Sequence, residues 1–332
     1  ANEISDNTIR SYVYSLSRFL SYLDYCHQNK ETPNMHSSSG CSERFLNHYL
    51  NQKLANELGV SRSLETHKSA LVAYYNFLNY MGISNKITLK IYRKTKQKMA
   101  EKSDKQSYIQ YVSRHSRFLL LNYCETLGEK LMMRMGYEVG LRTSELMGLI
   151  TSGKNNLISI FDQLDHEDYS HVNKFRYRLE GRYTKGDKSR WIYFERNLLI
   201  DMKRYFETER KYLINLTGSD EAGFFLRVDQ RFKGTGISQE QATRVFRKRA
   251  KAAGLNSCYS FHDLRHTFAT ELFHEELTRA DGRETRSESA ALIVVSQRLG
   301  HAIGRDGCAP PVTTRYIRMR LEMSEIEEVP YG

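Results

Sequence analysis

Apolar residues return every three to four positions through most of this chain, and that period constrains the fold more than any other feature. Ile9, Tyr12, Val13, Leu16, Leu20 and Leu23 keep it behind Ser5 and Asp6, side chains suited to cap the first turn of a helix. Phe45, Leu46, Tyr49, Leu50 and Leu54 keep it after Ser42, and Leu64, Ala70, Leu71, Tyr74, Tyr75 and Leu78 keep it again until Gly82. Residues 29–41, with Pro33 and Ser37-Ser38-Ser39-Gly40, read as a loop. The spacing predicts further helices over 113–127, 129–149, 195–215, 238–253, 261–277, 288–299 and 312–322. Three short runs look like strands: 157–160, 175–179 and 191–194. The turn-rich stretch from Gly181 to Lys188 reads as a hairpin tip between the last two. The predicted class is mainly α with a small antiparallel β-sheet.

A chain of 332 residues suffices for about two domains. The composition changes after Lys86, where Lys86, Lys90, Arg93, Lys94, Lys96 and Lys98 are followed by Lys102 and Lys105 against only Glu101 and Asp104. This predicts a helical domain over 1–104, its last helix running into a basic linker, and a second domain over 105–332. The formal net charge of +11 favours a polyanionic partner, nucleic acid before membrane. The six basic residues from Lys86 to Lys98 are the candidate DNA contacts, although such a run also serves as a plain solvated face.

No apolar run approaches the ~20 residues of a membrane span. The first residues, Ala1-Asn2-Glu3-Ile4-Ser5, lack the basic and apolar regions of a signal peptide. The five cysteines form no C-x-x-C pair, which suits a reducing cytosol better than a zinc site or disulfide scaffold. The expected location is cytoplasmic, with no membrane association, no metal and no cofactor. No G-x-x-x-x-G-K-[ST] loop supports nucleotide triphosphate use.

The chemistry concentrates in Phe261-His262-Asp263-Leu264-Arg265-His266-Thr267-Phe268-Ala269-Thr270. His262 and Arg265 stand three apart, on one face of a helix, where together they suit a phosphate. Arg142 follows Gly140-Leu141 and opens a helix through Thr143-Ser144-Glu145, so it either aims at a phosphate or pairs with Glu145. Two arginines beside His262 would neutralise a phosphodiester as it becomes pentacoordinate. Tyr316, one of 22 tyrosines, is a core residue or a nucleophile. As a nucleophile its phenol needs a cationic cluster and a proton acceptor. Lys185, at the hairpin tip, is a solvated lysine or the donor to a departing sugar oxygen.

The set Arg142, Lys185, His262-x-x-Arg265, Leu299-Gly300-His301 and Tyr316 resembles the tyrosine recombinase family, which includes phage integrases and Xer and Cre-like enzymes. Gly140-Leu141-Arg142-x-Ser144-Glu145-Leu146 and Thr184-Lys185-Gly186-Asp187-Lys188-Ser189-Arg190 add to the likeness, which covers about residues 105–320. The resemblance implies a two-domain clamp: a helical core-binding domain plus an α+β catalytic domain. It implies that Tyr316 attacks a DNA phosphodiester to form a 3′-phosphotyrosyl link. Arg142, Arg265 and His301 would hold the phosphate, His262 would assist proton transfer, Lys185 would act as general acid, and Glu145 would support Arg142. It also implies double-stranded DNA recombination sites as substrate, a homotetramer on two of them, and an accessory DNA-bending or directionality protein as a possible partner. A site-specific recombinase of a mobile element is the leading reading. A topoisomerase IB-like or telomere-resolving enzyme is the alternative of like chemistry, and a non-catalytic DNA-binding protein the alternative of another class.

Two spacings are longer than in compact members. Arg265 to His301 spans 36 positions, with a charged excursion over 274–288, and His301 to Tyr316 spans 15, with Pro310 and Pro311 in the gap. The second predicts a mobile segment that carries Tyr316 and docks only on assembly.

Overall fold

The computed structural model describes residues 6–29, 37–58, 63–106, 110–278, 285–304 and 306–314. It divides into two compact units, Ala1–Tyr108 and Ile109–Gly332. The predicted Tyr316 and the acidic stretch after it lie outside the described residues.

In the first unit, α1 (Asp6–Gln28) packs on α4 (Ser63–Tyr80). Between them in sequence comes one continuous helical run, α2 (Glu43–His48), a π turn (Tyr49–Leu54) and α3 (Ala55–Glu57). Phe19, Leu46, Tyr49, Leu50, Leu54, Leu64, Leu71 and Tyr75 share its core. The inward face of α1 differs from the predicted one. Phe19 is buried with Ser15 and Cys26, whereas Ile9, Val13 and Leu20 are exposed. The predicted Leu16 and Leu23 do pack against this core, partly buried.

The basic stretch also departs from expectation. Residues 85–92 are extended, and the helix α5 (Arg93–Gln106) starts only afterwards. The cause is two buried asparagines. The Asn47 amide donates to the Thr88 carbonyl (3.2 Å) and accepts from the Lys90 N–H (2.7 Å). Asn51 donates to the Lys90 carbonyl (2.8 Å) and accepts from the Tyr92 N–H (2.7 Å). These amides satisfy the backbone as a neighbouring strand would. Lys86, Lys90, Arg93, Lys94, Lys96 and Lys98 all remain exposed.

The second unit opens with α6 (Arg114–Asn122) and α7 (Leu127–Glu138). The helix predicted over 129–149 breaks at Gly140, whose φ of +73° ends it, and resumes as the single turn α8 (Thr143–Leu146). The run 157–160 is not a strand: α9 (Ile158–Asp165) occupies it. Leu157, Ile160 and Phe161 point inward and Ile158 outward, a helical rather than alternating pattern. β1 (Lys174–Leu179) and β2 (Arg190–Glu195) form the expected antiparallel hairpin, with Leu179 opposite Arg190. Then come α10 (Arg196–Tyr205), a π turn (Phe206–Arg210) and α11 (Lys211–Thr217).

After α12 (Gln239–Ala252), the helix α13 (Phe261–Leu277) runs through the middle of the unit. It is buried on several faces, packing on α7 and on α14 (Glu288–Leu299). A central helix of this kind carries polar residues inward only where they are paired. Asp263, Arg265, Thr267 and Thr270 are such residues. The short α15 (Pro311–Thr314) closes the described chain. Among the described residues no helix is long and apolar enough to cross a membrane.

Candidate active site

Three local devices set the site. The first is the start of α8. Arg142 is its N-cap, and Glu145, three residues on, reaches back to accept the Arg142 N–H at 2.8 Å. The second is the central helix α13, whose first turn carries His262 and whose next buries Arg265 completely. The third is the end of α14, where Gly300 takes φ +70° and the chain turns into His301. A side chain at Gly300 would overlap the stem of Arg190, so glycine is required there for two reasons.

Glu145 is the hub. It is fully buried, and its Oε1 accepts Arg142 Nη1 at 2.8 Å. Its Oε2 accepts Arg190 Nη2 at 2.9 Å and Arg265 Nη1 at 3.2 Å. Burial alone would raise the Glu145 pKa, but the guanidiniums of Arg190, Arg265 and Arg142 hold it at about 2. Backbone carbonyls take up further donors: Gly140 and Leu299 accept from Arg265, and Arg298 accepts from Arg190. The three arginines differ in access. The side chain of Arg142 is 20% exposed, against 7% for Arg190 and 0% for Arg265. Arg142 is therefore the one able to touch an incoming ligand without rearrangement.

Three guanidiniums against one carboxylate leave two positive charges in a desolvated place. Such a surplus is costly unless an anion completes it. A phosphodiester brings one negative charge and its pentacoordinate state two, so the cluster matches the second better than the first.

The histidines sense the same field. Burial, then the charges of Arg265 and Arg142, push His262 down to about 4. Burial and Arg265, Arg142 and Arg190 push His301 to about 3. His266, one turn below His262 with ring centroids 4.4 Å apart, falls to about 3 through burial and the nearby His262 and Arg265. All three are neutral at pH 7. His301 Nδ1 lies 2.9 Å from Thr313 Oγ1. Lys185 stands exposed in the turn before β2, and its charge is felt at His262.

The structure thus brings together Arg142, Glu145, Arg265 and His301, with His262 and Lys185 within their electrostatic reach. Tyr316 lies outside the described residues. Sequence reasoning missed Arg190 as a site residue. The signal was available: on β2 Arg190 alternates with Ile192 and Phe194, so it points inward with them. It also missed Thr313. Among the described residues no group of three or more His, Cys, Asp or Glu is placed to hold a metal ion.

These shifts give a pH dependence. A histidine whose pKa is lowered on folding takes its proton more readily in the unfolded chain, so stability falls as pH drops below about 6.5. The stabilisation from Glu145, lowered from 4.5, is fully present above pH 4.5 and is lost as pH falls toward 2. Urea midpoints are therefore expected to fall between pH 7 and pH 5 as the histidines take up protons in the unfolded chain. A flat profile over that range would contradict neutral, desolvated His262, His266 and His301.

Comparison with known proteins bears on the family and the fold. The sequence model of the phage integrase family matches residues 110–280, and that of the phage integrase N-terminal SAM-like domain matches residues 1–81. The chain is 24% identical over 330 residues to tyrosine recombinase XerA of Pyrococcus horikoshii, covering 99% of this chain and 91% of the relative. Among solved structures it resembles XerH site-specific recombinase bound to palindromic difH substrate in a post-cleavage complex. That match has a TM-score of 0.59 and 17% identity over 96% of this chain and 78% of the other. It also resembles the Tn1549 transposon integrase (residues 82–397) in complex with circular intermediate DNA. Here the TM-score is 0.56 and the identity 13%, over 99% and 95% of the two chains. At these identities the structural likeness is one of fold.

Proposed function

The chain belongs to the phage integrase family of tyrosine recombinases, and from that premise we propose how its residues cleave and rejoin DNA. The observation that carries the proposal is the Glu145 hub, with Arg142, Arg190 and Arg265 leaving two positive charges for a phosphate. Arg142 contacts a phosphate oxygen directly. Arg265 adds its charge from beneath, and His301 completes the grip. Tyr316 attacks phosphorus to give a 3′-phosphotyrosyl link, His262 assists proton transfer, and Lys185 protonates the departing 5′ oxygen. The link conserves the energy of the broken bond, so rejoining needs no nucleotide triphosphate.

The substrate is double-stranded DNA carrying recombination sites, engaged by four copies on two sites, and the setting is a mobile element in the cytoplasm. The helical unit acts as the core-binding domain, and Lys86, Lys90, Arg93, Lys94, Lys96 and Lys98 track the phosphate backbone. Support comes from their exposure and from the Asn47 and Asn51 amides that fix the extended segment bearing the first two. Changing Lys94, Lys96 and Lys98 together to Gln is expected to weaken binding to all sequences alike. It should reduce the slope of log K against log salt by up to about 2.7, at roughly 0.9 per phosphate contact. An unchanged slope would remove this segment from the DNA interface.

A two-plasmid assay, using sites footprinted in DNA flanking the gene, separates the readings. Exchange between plasmids supports the recombinase. Relaxation of supercoils without exchange would favour a topoisomerase-like strand transferase, and binding without cleavage a non-catalytic protein.

A further inference from the structure

The hairpin has a second face. Strand alternation turns Phe175, Tyr177 and Ile192 into the core. It leaves three cross-strand pairs on the outside: Lys174 with Glu195, Arg176 with Tyr193, and Arg178 with Trp191. The first is an ion pair at 3.0 Å and neutralises itself. The other two are of a different kind. The guanidinium of Arg176 lies 4.8 Å from the centre of the Trp191 ring, and that of Arg178 lies 5.9 Å from it. Arg298, near the end of α14, stacks 4.3 Å from the centre of the Tyr193 ring, so Tyr193 is already covered. Trp191 is the ring left open, 43% exposed. Arg176 and Arg178 are exposed as well, and among the described residues neither is paired with a carboxylate.

Cross-strand contacts of this kind stabilise a hairpin, but a ladder of threonine and valine does so without leaving two cations and an indole in water. Flanking guanidiniums with an open aromatic ring between them match one ligand best: a nucleic-acid strand whose bases are unpaired. Its phosphates meet the arginines and a base lies on the indole. Duplex DNA hides its base faces in the stack and would satisfy the arginines alone. An acidic peptide would do the same and leave the indole unused. Arg176 and Arg178 stand two positions apart on one strand, about 7 Å, so neighbouring phosphates of one extended strand can each find one.

Position adds to this. Arg190 points inward from β2 to Glu145 in the candidate phosphate site, and Trp191 is the next residue, on the opposite face. In the recombinase reading above, on which the identity of the ligand rests, cleavage frees a strand end at that site. We infer that the outer face of the hairpin binds single-stranded DNA, with Trp191 stacking an unpaired base and Arg176 and Arg178 holding the flanking phosphates.

The experiment uses the full chain and its own fluorescence. Trp191 is the sole tryptophan among 332 residues, so its emission reports on this face even where DNA also binds elsewhere. A short oligothymidylate strand is expected to quench it saturably, because a stacked base quenches an indole. A strand of equal length with abasic sugars keeps the phosphates and should leave the emission nearly unchanged. A closed circular duplex and a polyglutamate peptide should do likewise. Changing Arg176 and Arg178 together to Gln retains the reporter. The affinity read by quenching should then fall at least 10-fold. The slope of log K against log salt should drop by about 1.4, at roughly 0.7 per phosphate contact on a single strand. Unchanged affinity and slope in this variant overturn the inference. Wild type decides the question even where the variant fails to fold. Absence of quenching by oligothymidylate overturns the inference, and so does equal quenching by the abasic strand, the duplex or polyglutamate, the last pointing to an acidic protein partner. None of these readings needs cleavage, so a failure of plasmid exchange counts against the recombinase reading and not against this surface.

Discussion

Tyr316→Phe is expected to abolish covalent attachment to DNA, by roughly 10⁴-fold or more, while leaving DNA affinity nearly unchanged. The phenylalanine keeps the ring and removes only the oxygen that would bond to phosphorus. The large effect follows from the division of labour in the site. In the proposed site the arginines, the histidines and Lys185 would stabilise charge and move protons, and none would replace the missing nucleophile. Sequence position favours Tyr316 over the later Tyr331. Thr313 is pinned to His301 and Ser296, and three residues of chain span at most about 11 Å. Tyr316 follows that anchor by three positions, whereas 18 positions separate Tyr331 from it. Tyr331→Phe is expected to cleave normally. Adduct formation by Tyr316→Phe would move the nucleophile elsewhere.

Glu145→Gln carries the largest expected loss of stability. The change is almost isosteric, but it removes the carboxylate that Arg142, Arg190 and Arg265 share, the only one paired with them among the described residues. Breaking a buried ion cluster by deleting one partner costs about 3–5 kcal/mol. The acidity of Glu145 gives the same scale, since a fall from 4.5 to about 2 corresponds to about 3 kcal/mol at neutral pH. The stabilisation is present above pH 4.5 and fades as pH drops toward 2. Chemical unfolding at pH 7 measures the loss. Adding Arg190→Met to Glu145→Gln removes one of the stranded charges, so the double variant is expected to lose less than the two single losses combined. Simple additivity would show that the hub is not electrostatically coupled.

The parts of the fold legible in the sequence were those set by neighbours along the chain. Phe261–Leu277 and Glu288–Leu299 have the predicted bounds, because Ser260 with Asp263, and Ser287, mark their starts and Gly300 ends the second. The hairpin was legible through its turn-rich tip. The misread elements depend on partners far away in sequence. Three apolar residues within 157–160 satisfy either a strand or a helix until the surrounding core chooses. The face of α1 is chosen by α4, and the extended 85–92 by Asn47 and Asn51 some forty residues earlier. The site divides in the same way. Arg142, Glu145, His262 and Arg265 sit in short motifs. Arg190 acquires its role by meeting Glu145 across 45 positions, and Thr313 by meeting His301 across a loop.

That loop was expected to be mobile. Over its described residues it has its own turn, with Gly304 donating to the Cys308 carbonyl and Gly307 to that of Gly304.

The central claim is that the cluster around Glu145 holds a DNA phosphate for attack by Tyr316 without a metal ion. The most direct measurement traps a suicide DNA substrate in the presence of EDTA, digests the protein and locates the nucleotide-bearing peptide by mass spectrometry. The account predicts a 3′-phosphate linked to Tyr316. A link to another residue, or trapping only when a divalent cation is restored, would contradict it.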